Sequence, residues 1–167
     1  FLKNNNIVIK LAAADDIKNT TEIAKEAFSN FRMGEDHFHA DSKIPKEKSD
    51  EVYKKWANDL GYDNKIVNFV AKIENEIVGF ANAEINNDAE EIDCVIGTFP
   101  LGAVSSKFSG RGVYSELFRY VLEWFNGKVN YFEISTWKEN ETVQKIWKKN
   151  NLKLIRSEYK LHRHNNY

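Results

Sequence analysis

Two glycines, Gly110 and Gly112, flank Arg111 immediately ahead of the densest apolar helical pattern in the chain, Val113 to Phe125. In that stretch Val113, Leu117, Phe118, Val121, Leu122 and Phe125 recur at helical spacing, which commits one face of a helix to a core. Gly127 supplies a stop. Upstream, Leu101 to Ser105 reads as strand. Strand, glycine turn and helix in succession aim the unpaired first-turn N–H groups and the positive dipole end at whatever lies in the turn. Glycine lacks the Cβ that would hold an anion away from the backbone, and Arg111 adds a cation suited to phosphate. An anion cradle and a plain helix-capping turn both fit this pattern. A P-loop does not, because no Gly-Lys-Ser or Gly-Lys-Thr follows. A dinucleotide fingerprint is excluded by the missing third glycine.

The remaining chain is long enough to build a core around this unit. Its 167 residues suit one domain, 1–167, and 42% apolar residues place it well above a disordered composition. With 24 Lys and Arg against 25 Asp and Glu, the formal charge is -1. That balance argues against a general nucleic-acid binder and leaves room for a small basic cleft. No apolar run approaches the length of a membrane span. The lone Cys94 has no disulfide partner and fits a reducing compartment, so a cytoplasmic location is expected. Phe1 follows no methionine, as in a fragment of a longer chain.

Hydrophobic periodicity orders the elements β-α-α-β-β-β-α-β-α-β. Strands are expected at 7–11, 66–73, 77–85, 129–136 and 152–162, with 66–73 and 77–85 joined as a hairpin at Glu74-Asn75-Glu76. Asn86-Asn87-Asp88 breaks the pattern. Ile92 to Ile96 and Leu101 to Ser105 read as two strands, or as one strand interrupted at Pro100. Helices are expected after Asp15-Asp16 through Phe28, from Pro45 to about Leu60, over 113–125 and from Asn140 to Asn150. Residues 30–43 are irregular and mix polar with aromatic side chains. Interleaved strands and helices favour an α/β arrangement in which a mixed sheet is covered by helices.

The segment Ala103-Val104-Ser105-Ser106-Lys107-Phe108-Ser109-Gly110-Arg111-Gly112-Val113 resembles the pyrophosphate-binding motif of the GCN5-related N-acetyltransferase (GNAT) family, a strand followed by an Arg/Gln-x-x-Gly-x-Gly/Ala turn and a helix. Asn140 to Leu152 resembles that family's Asn-x-x-Ala-x-x-Leu/Phe-Tyr-x-x-x-Gly-Phe segment. The order of elements agrees over nearly the whole chain. The resemblance implies a mostly antiparallel central sheet flanked by helices, acetyl-CoA as donor, and direct transfer to an amine. It also implies that Ala103, Val104, Ser109, Gly110, Arg111, Gly112, Val113, Tyr114 and Asn140 hold the coenzyme. For Asn140 the plain role is a helix N-cap.

A narrower resemblance covers His37-Phe38-His39-Ala40-Asp41, Ile44-Pro45 and Tyr53-Lys-Lys-Trp56, together with the closing Glu158-Tyr159-Lys160-Leu161-His162-Arg163. These segments are similar to bacterial dTDP-fucosamine and related nucleotide-linked 4-amino-sugar N-acetyltransferases. The acceptor implied is a nucleotide-linked amino sugar, with Phe38, His39, Asp41 and Trp56 against it. A polyamine, amino acid or peptide amine keeps the same chemistry, and a non-catalytic CoA-binding module is the third reading. A homodimer is left open.

Direct transfer needs a group that takes the amine's proton, a donor that polarises the thioester carbonyl, and an acid for the leaving thiolate. His39 has the best intrinsic pKa for a base, with Asp41 to orient it or to hold a sugar hydroxyl. Glu84, at a strand end, is the second candidate. A backbone N–H near Ala103-Val104 is implied as the carbonyl's donor. Three departures stand out in this reading. Ser109 occupies the place of the usual Arg or Gln, Tyr114 replaces a small residue, and Trp147 stands where many relatives place an acid tyrosine. Tyr114 and Tyr159 are then the substitute acids. His162, His164 and Cys94 lack metal-site spacing, so no metal is expected.

Overall fold

A computed structural model describes residues 6–29 and 36–164. Its sheet runs β1 (Val8–Leu11), β2 (Ile66–Ile73), β3 (Glu76–Ala89), β4 (Cys94–Thr98) and β6 (Tyr131–Glu133), with β5 (Gly102–Val104) also on β3. Every pairing is antiparallel except the parallel one of β4 with β6. Helices α1 (Ile17–Ser29), α2 (Lys46–Tyr62), α3 (Val113–Phe125) and α4 (Glu141–Lys149) cover the sheet. A mixed, mostly antiparallel sheet flanked by helices is therefore what the chain forms.

Two cores separate the sheet faces. On one face Phe69, Ala81 and Ala83 pack with Val113, Leu117, Phe118, Val121 and Phe125 of α3, with Ile146 and Trp147 of α4 at the margin. On the other, Val70, Phe80 and Ala103 meet Ile23 and Ala24 of α1 and Tyr53 and Ala57 of α2. The alternation Phe69/Val70 and Phe80/Ala81 is the period-two pattern of a sheet covered on both sides. Full burial of a side chain such as Leu117 or Phe118 contributes about 1.5–3 kcal/mol.

The β2–β3 hairpin closes through Glu74 and Asn75, whose φ values of 50° and 71° are those of a two-residue type I′ turn. Three sequence expectations need correction. First, β3 continues through Asn86-Asn87-Asp88, and the break there is a register shift against β4 rather than a strand end. Second, residues 152–164 form no strand; Leu154, Tyr159 and Leu161 are 83%, 95% and 91% exposed. A strand's ladder bonds come from a neighbour, and alternation alone cannot supply one. Third, Asn140 precedes α4 and caps it rather than opening it. Of the irregular segment 30–43, residues 30–35 lie outside the described residues.

The ambiguity at Pro100 resolves as two strands along one partner. β4 pairs with Glu84 to Ala89 of β3, and β5 pairs with Gly79 to Ala81. Between them Phe99 and Leu101, 8% and 5% exposed, enter opposite cores, Phe99 the one under α3 and Leu101 the one under α1 and α2. No helix among the described residues is long and apolar enough to cross a membrane.

Candidate active site

The parallel ladder of β4 and β6 contains only Ile96–Tyr131, Gly97–Phe132 and Thr98–Glu133. Beyond it, β5 pairs with β3 alone among the described strands. The chain after Glu133 runs in the same direction as β5 without pairing to it, so the sheet opens into a V. Leu101 O accepts from Asn82 N at 2.8 Å, and Ser105 N donates to Val78 O at 2.9 Å. Alternation along an antiparallel pair then turns the N–H groups of Gly102 and Val104 away from β3, toward the open edge. These are donors of the kind that polarise a carbonyl.

The glycine turn begins where β5 ends. Gly110 and Gly112 have φ of 75° and 83°, in the left-handed region, and a Cβ on either would meet nothing within 4 Å. The turn thus presents backbone N–H groups to open space in front of α3, as a pyrophosphate requires. Arg111, exposed, carries its guanidinium 5.0 Å from the centroid of Phe108. Counting back from Gly110 places Lys107, not Ser109, at the motif's Arg/Gln position, so the loop keeps a long cationic side chain. Ser109 is one of the two variable positions. Glu26 of α1 braces the loop from behind: its carboxylate accepts from Ser106 N at 3.2 Å, from Ser105 Oγ at 3.3 Å, and from the Ser106 hydroxyl. No local pattern in the sequence pointed to Glu26.

Tyr114, in the first turn of α3, lies partly buried, stacked with Phe118 at 6.3 Å. Its hydroxyl accepts the indole N–H of Trp147 at 3.3 Å. Burial pushes the phenol's pKa up, against the lowering effect of the Trp147 bond. Asn140 is 8% exposed, its Oδ1 accepts from Val143 N at 3.4 Å and its Nδ2 donates to Thr136 Oγ1 at 3.0 Å. It ties α4 to the strand extension that borders the V.

On the α1/α2 face, a polar row crosses the sheet where it opens. Glu84, Thr98 and Glu133 are direct neighbours in register, and they share the face of Phe80 and Asn82. Thr98 Oγ1 donates to Glu84 Oε2 at 3.4 Å. Glu133 went unnoticed in the sequence because its place in the row comes only from the β4–β6 register.

Residues 36–44 together with the end of α1 and the start of α2 wall a cavity of about 200 Å³, lined by Phe28, Asp36, His39, Asp41, Ile44 and Ser49 among others. Phe28 stacks on Tyr53 at 4.1 Å and meets Trp137, on the far side of the V, edge-on at 6.2 Å. His39 is fixed by two carboxylates, Nδ1 to Asp36 Oδ2 at 2.5 Å and Nε2 to Asp50 Oδ1 at 2.9 Å. Burial alone would lower its pKa, but the bonds to Asp50 and Asp36 and their charges outweigh this and raise it. Desolvation opposes ionisation of Asp50 too, yet His39 and Lys46 bring its carboxyl down to about 2. Both ring nitrogens of His39 are engaged by carboxylates, which favours its protonated form and leaves neither nitrogen facing the cavity unpartnered.

The other sequence candidates are scattered. Phe38 packs edge-on to Tyr53 at 6.3 Å beside the cavity. Trp56 is 40% exposed on α2 and does not line it. Tyr159 sits on the exposed tail and does not line the cavity. Asp41 lines the cavity and accepts hydrogen bonds from His162 and His164.

An acyltransferase of the GNAT type is what a splayed sheet with a glycine turn beneath a helix defines. The profile of the acetyltransferase (GNAT) family matches residues 22–151, and the chain belongs to that family. It is an N-acetyltransferase with acetyl-CoA as co-substrate. Solved structures with the same fold include a transcriptional regulator from Bacillus halodurans C-125, at 16% identity over 94% of this chain and 99% of that one, with a TM-score of 0.68. Ribosomal-protein-alanine N-acetyltransferase from Brucella melitensis biovar Abortus 2308 superposes at 12% identity over 93% and 98%, TM-score 0.67. Aminoglycoside N-acetyltransferase AAC(6')-Iy in complex with CoA does so at 16% over 99% and 99%, TM-score 0.63. No curated protein matches the sequence.

Proposed function

We propose that the acceptor is the amino group of a nucleotide-linked amino-deoxysugar. The observation carrying this is the cavity between the end of α1 and the start of α2, lined in part by His39, Asp41, Ser42 and Ile44 of the segment that resembles nucleotide-sugar acetyltransferases. Its lining combines hydrogen-bonding carboxylates, Asp36 and Asp41, with apolar Phe28 and Ile44. Sugar hydroxyls need acceptors of that kind, and a sugar ring's C–H face packs well on an aromatic. The solved structures that share the fold include aminoglycoside acetyltransferases, and an aminoglycoside is itself an amino sugar.

In the reaction, the neutral amine attacks the thioester carbonyl carbon. A C–N bond forms, the C–S bond breaks, and the amine proton leaves as the intermediate collapses. Glu84, in the row with Thr98 and Glu133, takes that proton directly or through one water. The N–H groups of Val104 and Gly102 stabilise the developing oxyanion. The Tyr114 hydroxyl, accepting from Trp147, keeps its own proton for the thiolate. His39 acts as a positioning residue, joining the cavity loop to α2 through Asp36 and Asp50.

Thiol release from acetyl-CoA, measured across nucleotide-linked 4-amino-sugars, aminoglycosides, polyamines and peptide amines, tests the acceptor. The nucleotide-linked sugars are expected to show the highest kcat/KM. Turnover confined to any of the other three classes overturns this assignment while leaving the acetyltransferase chemistry intact.

A further inference from the structure

Asp41, His162 and His164 bring three ligand atoms within 4.8 Å of one another. We propose that they form a Zn²⁺ site that ties the tail, residues 152–164, to the rim of the acceptor cavity. Both imidazoles converge on one oxygen: His162 Nδ1 lies 2.6 Å and His164 Nε2 2.8 Å from Asp41 Oδ2. The other carboxylate oxygen is already committed, accepting from Lys43 N at 3.0 Å, which fixes the direction in which Oδ2 points. His162 rests against the rings of His37 and Phe38 at 5.6 and 6.4 Å. The cluster is therefore oriented on both sides before any ion arrives.

The ligand spacing is that of an extended segment. In such a segment residues i and i+2 project to the same side, so His162 and His164 address one ion while Arg163 points away. Two imidazoles and one carboxylate suit Zn²⁺ and leave a fourth position for water. Zn–N and Zn–O lengths of about 2.0–2.2 Å set N···O separations near 3.3 Å in a tetrahedron. The ligands must open by roughly half an ångström to admit the ion, a movement within reach of side chains 29% and 34% exposed on a tail without regular structure. Without metal, the same nitrogens donate to the carboxylate and hold the tail in place; with it, coordination replaces those bonds. The proposal stands independently of the acceptor's identity.

Full-length protein stripped with a chelator and titrated with Zn²⁺ against a chromophoric competitor should bind one ion per chain. The double variant His162→Gln/His164→Gln should bind at least about 100-fold more weakly, since even an outer-shell partner contributes up to that factor. Zn²⁺ should also slow tryptic cleavage after Lys160 and Arg163 in the natural protein and leave the variant's cleavage unchanged. Equal Zn²⁺ affinity in the two proteins overturns the site. Zn²⁺ binding without protection of the tail overturns the clamp. Because both histidines are on the exposed tail, an unchanged circular dichroism spectrum and Tm without metal identify the variant as folded.

Discussion

The indole N–H of Trp147 donates to the Tyr114 hydroxyl at 3.3 Å, joining α4 to the first turn of α3 across the coenzyme side of the sheet. An indole has no proton to give a thiolate, but by donating to the phenol oxygen it leaves the Tyr114 proton available for transfer. The two departures from the family pattern thus meet in one hydrogen bond, and the proposed reaction takes its acid hydroxyl from α3 rather than from α4. Replacing Tyr114 with Phe should lower kcat by about 10²-fold, the lower end of a general acid's contribution. Coenzyme Kd should change little. Steady-state kinetics and equilibrium binding check this, and an unaltered kcat removes Tyr114 from the chemistry.

Gly112 combines a φ of 83° with empty space around its missing Cβ. Substitution with Val strains the backbone by about 1–2 kcal/mol and fills the volume in front of the first-turn N–H groups. Acetyl-CoA affinity should fall by at least about tenfold, equivalent to 1.4 kcal/mol, as read by calorimetric titration. Native affinity in a folded Gly112→Val protein contradicts a pyrophosphate contact at this turn.

Glu84 stands in register with Thr98 at the last β3–β4 pair, before β5 takes over the same edge of β3. Glu84→Gln preserves the Thr98 hydrogen bond but cannot accept a proton. The variant should lose about 10²-fold in kcat/KM and the acidic limb of its pH–rate profile should flatten. A profile that keeps its shape places the base elsewhere, with Glu133 the next residue of the row to replace.

His39 makes stability depend on pH in a defined direction. Its folded pKa lies above the ordinary 6.5, so its contribution is complete below 6.5 and disappears as pH rises through the folded value. Asp50, brought down from 3.8 to about 2, contributes above 3.8 and loses that contribution as pH falls toward 2. The two windows overlap between about 3.8 and 6.5. His39→Gln should cost about 2 kcal/mol there, the scale of charge-assisted bonds, and less at higher pH. Denaturation midpoints of the two proteins across that range test it; a gap that does not vary with pH argues that the imidazole is held neutral.

Much of the coenzyme side was legible in the chain because it is local. The face of α3 follows from the spacing Val113, Leu117, Phe118, Val121, Phe125, and the turn from two glycines within three residues. Even there the motif's long polar position is Lys107, three residues before Gly110, rather than Ser109. The hairpin at Glu74-Asn75 was also visible, since its two flanking runs are adjacent.

What the sequence determined by itself is the alternation of strands and helices up to α4, the glycine turn and the strand-turn-helix unit around it, all products of contacts within a few residues. Tertiary structure alone decided which polar side chains meet. The sequence offered His39 for its intrinsic pKa, and only the fold sets Asp36 and Asp50 on its two nitrogens. The tail looked like a strand, but strand bonds need a neighbouring edge. His162 and His164 were weighed with Cys94, whereas the group they meet is Asp41, 121 residues earlier. Sheet register and chain reversal bring such groups together, and neither leaves a periodic trace in the residues that it joins.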